Sequence, residues 1–304
     1  MTSRRAAGIT RCMKPRPKAA AAPAPAAEAE GRIFDVDCKL SYTLLDDTHF
    51  LFIVHALDGM DQQVVTESLR ITPTLEHELH TDPVFGHRTL RLNAPTGPLT
   101  LRYRARVRVM RKAPDLKAAE VPISALPPEV LADLMPTRYC ESDRLASAAW
   151  KMFGDTPPGH ARVQAISDWI HDHVEYRVGS TDSSTTASDV FLQRAGVCRD
   201  FAHLGVTFCR ALNIPARLAV GYSRFEAPPP DFHAMFEAFL GGEWHLFDPT
   251  QLTEPLDLVR IAVGRDAADV AFATLFGPVR TRLIRPEVER VRARRARKTP
   301  ARGA

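Results

Sequence analysis

Cys198, His233 and Asp248 have the side-chain types and the order along the chain that nucleophilic catalysis needs. Cys198 follows the small-residue turn Gly196-Val197 and opens a segment, Cys198 to Leu212, whose apolar residues recur at helical spacing. Phe201, Gly205, Phe208 and Leu212 mark one buried face, and Asn213-Ile214-Pro215 is a stop signal. No Ser, Thr, Asp or Asn cap stands directly before Cys198. A helix N-terminus favours an anion, so it favours the thiolate, the reactive form of cysteine. The same amides can hold the oxyanion formed when a carbonyl is attacked. Asp200 works slightly against the thiolate, so the sulfur still needs a base or an imidazolium partner.

The partner can be read from a hairpin. The stretches "FHAMFEAFL" and "EWHLFD" flank Gly241-Gly242, a two-residue turn signal. With that turn, residue 240 lies opposite 243, 235 opposite 248 and 233 opposite 250. His233, Met235 and Asp248 then share one face, and His233 and Asp248 become diagonal neighbours about 7–8 Å apart at the backbone. A carboxylate there fixes the imidazole tautomer and stabilises its charged form. A one-residue slip would separate the two groups.

Each residue has a plainer reading when taken alone. A lone buried cysteine is usually a packed apolar residue, a lone histidine on an apolar strand is usually a satisfied core group, and Asp-Pro favours turns. The coincidence of all three turns the reading toward chemistry. Cys209, three turns further along the helix, reads as core, and His203 as structural. His171 and His173 do not share a helix face and do not make a metal site. Glu237 shares the His233 face and reads either as a substrate contact or as one half of a buried pair.

The elements that must position these groups are legible in outline. Residues 1–31 are Ala/Pro-rich, with almost no large apolar residues, and read as a disordered tail. Residues 32–112 alternate apolar and polar residues in short runs between turn signals, which predicts an antiparallel β domain. In its last run Leu99, Leu101, Tyr103, Ala105, Val107 and Val109 face one way, and Arg102, Arg104, Arg106 and Arg108 face the other, toward solvent. Residues 113–284 carry the helices, among them "SDRLASAAWKMFG" and "HARVQAISDWIHDHVEY", a polar Thr181–Ser188 loop, and the strands around the three candidate residues. Residues 285–304 read as a basic, disordered tail. The fold class is α+β.

Composition bounds the rest. The net charge of +4 belongs to the tails: residues 1–30 hold six Lys/Arg against two Glu and residues 285–304 eight against two, which leaves 31–284 at −6. Nucleic acid is therefore not an expected partner. The five cysteines are scattered and form no CxxC, which argues against a disulfide scaffold or a zinc site. No apolar run suits a membrane span or a signal peptide, so the expected location is the cytoplasm, with no membrane partner.

"GVCRDFAHLGVTFCRALNIPARLAVGY", "FHAMFEAFL" and "WHLFDPT" together resemble the transglutaminase-like superfamily of papain-type cysteine enzymes. "YCESDRL" and "GRDAADVAFATLFG" fit its bacterial subgroup, and the preceding β-rich segment resembles that subgroup's N-terminal domain. The resemblance spans about 32–284. It implies a papain-like core in which the cysteine helix packs on an antiparallel sheet, and a Cys198–His233–Asp248 triad. It implies acyl chemistry on a peptide or protein through a thioester, without metal or organic cofactor. It further implies a side-chain oxyanion donor upstream of the nucleophile, for which Tyr176 and Gln193 are the candidates, with Tyr176 preferred. Asp200, Arg217 and Tyr222 match the pattern as structural residues. Three readings stay open: a cysteine protease or amidase, an amine-cross-linking acyl transferase, and a non-catalytic binding protein of the same fold. Hydrolysis is favoured, because water is always available and the sequence shows no site for an amine. Oligomeric state is not legible.

Overall fold

The computed structural model describes residues 31–227 and 231–291. The expected N-terminal tail therefore lies outside the described residues, apart from Gly31. The β-rich half contributes β1 (Arg32–Leu44), β2 (Thr48–Phe52), β3 (Gln62–Thr72), β4 (His77–Thr81), β5 (Arg88–Ala94) and β6 (Gly97–Val109). The helical part carries α1 (Ser142–Phe153), α2 (His160–His173), β7 (Glu175–Tyr176), α3 (Ala187–Gln193), β8 (Ala195–Gly196) and α4 (Cys198–Ala211). Then come β9 (Ala216–Tyr222), β10 (His233–Leu240), β11 (Glu243–Phe247), β12 (Val259–Gly264), α5 (Ala267–Val270), β13 (Ala273–Phe276) and β14 (Val279–Val291).

Among the described residues three four-stranded antiparallel sheets result. Two make the β domain, in the orders β14-β1-β6-β3 and β13-β2-β5-β4. Their inner rows are the alternating apolar positions: Phe34, Val36, Cys38 and Leu40 of β1 face the core with Leu99, Leu101 and Tyr103 of β6. On the outer face the β6 arginines meet carboxylates of β1, Arg102 with Asp37 at 2.6 Å and Arg106 with Asp35 at 2.7 Å. These opposite-charge cross-strand pairs tie the stripe to its neighbour strand.

The third sheet, in the order β11-β10-β9-β12, is the floor on which α4 lies. Every residue of β9, β10 and β12 is buried. Gly205 of α4 faces the ring of Phe236 of β10 so closely that an added Cβ would sit 2.6 Å from ring atoms. That small residue lets the helix sink onto the sheet.

The structure departs from the sequence reading in four places. First, residues 285–291 are not tail: they complete β14, which pairs with β1 along its length. Only Pro286 and Val288 of that segment are buried, so its outward Arg and Glu residues hid an edge strand behind a charged pattern. Second, the region expected to be catalytic does not run to 284, because β13 and β14 return to pair with β2 and β1 of the β domain. Third, α4 is buried on all sides from Asp200 to Arg210 rather than on one face, being covered by other helices as well as by the sheet. Fourth, the polar stretch after Thr181 contains the start of α3. Thr186 caps it, its hydroxyl accepting the Asp189 amide while the Asp189 carboxylate accepts the Thr186 amide.

Among the described residues no helix is long and apolar enough to cross a membrane.

Candidate active site

Cys198 is the first residue of α4 and is half-buried, whereas Cys38, Cys140 and Cys209 are buried; all four are free. Cys12 lies outside the described residues. The turn before Cys198 is shaped by Asp200. Its carboxylate reaches back to accept the Val197 amide at 2.9 Å, takes the Thr181 hydroxyl, and pairs with Arg199 at 2.7 Å. The end of α4 that the sequence left uncapped is thus held from inside its own first turn. Gly196 makes this possible, since a Cβ there would meet the Asp200 side chain at 2.8 Å.

His233 begins β10, paired across to Gly221 of β9. The Gly241-Gly242 turn, with φ of 60° and 90°, sets the register: Leu240 lies opposite Glu243 and Phe236 opposite Phe247. Asp248, the residue after Phe247, comes up beside His233, and its Oδ2 lies 3.0 Å from the ring Nε2. Asp248 also opens a turn. Its Oδ1 accepts the Thr250 amide at 3.0 Å and the Thr250 hydroxyl at 2.6 Å, and Oδ2 accepts the Thr253 amide at 3.3 Å. The turn-forming and imidazole-holding readings of this aspartate are therefore both true. The bracing threonines, and Phe225 with its ring 5.4 Å from that of His233, escaped the sequence reading. The "DPT" tripeptide was the available signal for Thr250.

The remaining ring nitrogen of His233, Nδ1, is buried without a hydrogen-bond partner. The Cys198 sulfur stands near this ring, its own hydrogen bond going to the Phe232 carbonyl at 3.7 Å. Burial opposes charge on the imidazole, but the Asp248 hydrogen bond and the neighbouring Cys198 outweigh it and raise the His233 pKa to about 10. The three residues singled out from sequence thus lie in one neighbourhood, at the junction of the α4 N-terminus and the hairpin.

Tyr176 joins them. Its strand β7 runs parallel to β8, with Tyr176 beside Gly196, two residues before the nucleophile candidate. Burial pushes the Tyr176 phenol up, and the Cys198 sulfur adds to the effect, so the hydroxyl stays protonated and able to donate. Gln193 makes no hydrogen bond to the other candidate residues. It is the exposed last residue of α3, after which Arg194 turns left-handed (φ 57°) and leads into β8.

The other singled-out groups are structural in their contacts. His203 Nε2 accepts the Ala267 amide at 3.1 Å, its ring stacks on Tyr139, and burial lowers its pKa to about 4. Glu237 is fully buried between Arg217, at 2.7 Å, and Arg260, so of its two readings the buried pair holds. Tyr222 donates to the Val54 carbonyl of the β domain. His173 bonds the Trp169 carbonyl, and no cluster of three or more metal-ligating side chains occurs among the described residues.

Comparison with known proteins bears on this geometry. The family model of the transglutaminase-like superfamily matches residues 147–249, and that of the bacterial transglutaminase N-terminal domain matches residues 33–129. A crystal structure of a candidate cysteine protease from Cytophaga hutchinsonii is 41% identical with a TM-score of 0.83, covering 88% of this chain and 93% of that one. An uncharacterized protein of Mycobacterium leprae is 32% identical over 149 residues, 45% of this chain and 52% of the relative. One from Mycobacterium tuberculosis is 31% identical over 161 residues, 48% and 50% of the two chains. The chain spans about half the length of these curated relatives.

Proposed function

The chain belongs to the transglutaminase-like superfamily, and from that premise we propose that it is a cysteine-nucleophile acyl hydrolase that cleaves peptide or amide bonds through a thioester. One observation carries the reading. The His233 ring is held by Asp248 on Nε2 at 3.0 Å, while its Nδ1 is buried and unpartnered next to Cys198 at a helix start. A nitrogen left unbonded inside a protein is costly unless a partner arrives; here the partner is the sulfur proton.

In the proposed cycle, Nδ1 of His233 takes the Cys198 proton, and the raised pKa keeps the resulting imidazolium charged. The thiolate attacks the substrate carbonyl carbon. The Cys198 amide and the Tyr176 hydroxyl donate to the oxyanion. The tetrahedral species collapses as Nδ1–H gives its proton to the departing amine, leaving a thioester on Sγ. Water then attacks the thioester and gives its proton to Nδ1, and the carboxylic acid leaves as the thiolate returns. Asp248 keeps the ring oriented throughout. The free cysteines suit a reducing compartment, which supports a cytoplasmic location.

The test is intact-mass analysis after brief incubation with a peptide-amide library and an acid quench. The expected result is an acyl adduct on Cys198 that is absent from Cys198→Ala and His233→Ala. Adducts on other cysteines, or none at all, would refute the hydrolase reading. Adding a primary amine separates hydrolysis from transfer: free acid should dominate over the amide.

A further inference from the structure

Along the outer edge of the third sheet runs a groove of about 1170 Å³, between the connector that leaves β6, the edge strand β11 and α2. Met60, Met110 and Leu116 line it and are 55%, 39% and 70% exposed, an apolar rim that solvent alone does not favour. Asp115, Glu243 and Glu254 are exposed on its walls. Of its basic residues Arg111 is occupied by Asp61 and by the carbonyls of Pro255 and Leu258, which leaves Lys112 against three carboxylates. The groove is therefore apolar and acidic, and it offers the outer edge of a β-strand.

The last described strand delivers the chain to this place. Arg290 of β14 lies 4.0 Å from Asp257, next to the groove residues Glu254 and Leu256. The sequence that follows, 292–304, holds five arginines and one lysine and no acid. Thirteen residues reach at most about 45 Å when extended, longer than a groove bordered by a five-residue strand.

We propose that residues 292–304 of this chain occupy the groove, their basic side chains against Asp115, Glu243 and Glu254 and their backbone along β11. The other tail is the poorer match. Arg32 also pairs with Asp257, at 3.2 Å, but the residues just before it include Glu28 and Glu30, and the six basic residues of 1–30 all precede residue 19. Because the groove floor contains Asp248 and Gln251–Thr253, an occupant would lie against the turn that braces the His233 partner. The proposal stands independently of the catalytic reading.

Zero-length carbodiimide coupling of the full chain tests it, because Lys298 is the one amine side chain in 292–304. In the monomer fraction at low salt, Lys298 should couple to Asp115, Glu243 or Glu254 about tenfold more than to the exposed reference pair Asp46 and Asp47. The preference should vanish in half-molar salt and in the triple variant Arg294→Glu, Arg295→Glu, Arg297→Glu. Equal coupling to the reference carboxylates would overturn the proposal. So would capture of the groove by Lys14 or Lys18, or coupling confined to a dimer, which would give the groove to the N-terminal segment or to a second copy.

Discussion

His233 is buried, and burial alone would keep it neutral; its neighbours reverse that. With the folded pKa near 10 against an ordinary 6.5, the charged ring contributes stability that is fully present below pH 6.5 and is lost as pH rises through 10. Reactivity of Cys198 toward an alkylating agent should therefore hold on a plateau through neutral pH and change near pH 10. Asp248→Asn removes the main support of the charge, so its alkaline limb should move to lower pH, which a labelling profile at fixed reagent concentration will read. Burial raises Cys38 and Cys140 to about 12 and pushes Cys209 up as well, so these thiols should stay unreactive in the folded protein. Tyr176→Phe should lower turnover by about 10²-fold if its hydroxyl is an oxyanion donor, while leaving Cys198 labelling unchanged.

At the scale of elements, two glycines hold the site's supports in place. Gly205 lets α4 lie on Phe236, and Gly221, opposite His233, would carry a Cβ only 2.1 Å from the Val259 carbonyl oxygen. Gly205→Ala should cost about 1–3 kcal/mol in denaturant unfolding, since a ring can shift. Gly221→Ala should cost more, since backbone must move and β9 separates β10 from β12. The legible parts of the site follow local rules. The Gly241-Gly242 turn gave the hairpin register, and register put Asp248 beside His233. What the sequence concealed depends on contacts between distant segments. Tyr176 and Gln193 are both upstream of Cys198, and the β7–β8 pairing that brings Tyr176 beside Gly196 joins segments remote in sequence. The cap on α3 was legible at Thr186 and Asp189 but was masked by the surrounding hydroxyl residues.

Across the whole molecule, the β domain and the third sheet are joined by a chain of paired charges. Glu237 of β10 binds Arg217 and Arg260; Arg260 binds Asp61 at 2.5 Å; Asp61 binds Arg111 at 2.7 Å. Gln62 adds hydrogen bonds to the Arg260 carbonyl and amide at 2.9 and 3.0 Å. Removing one member of such a chain strands its partners, so Glu237→Gln should cost about 3–5 kcal/mol, and wild-type unfolding should show one cooperative transition for both halves. Burial works against the Glu237 charge, yet Arg260 and Arg217 lower its pKa below the ordinary 4.5. Its stabilisation is therefore present above pH 4.5 and is lost as pH falls through the lowered value, which acid unfolding of the wild type and Glu237→Gln will compare. This chain of charges was not legible in the sequence, since Asp61 and Arg260 are 199 residues apart. The return of β14 to the β domain escaped for a related reason: its partner β1 is at the other end of the chain.

The central claim is that the His233 imidazole activates the Cys198 thiol, and competitive alkylation tests it without any knowledge of the substrate. Iodoacetamide at pH 6 followed by peptide mapping should modify Cys198 at least about 10²-fold faster than a free thiol peptide, and His233→Ala should abolish that advantage while keeping the fold. A Cys198 that reacts no faster than the peptide, or equally fast in His233→Ala, would contradict the account.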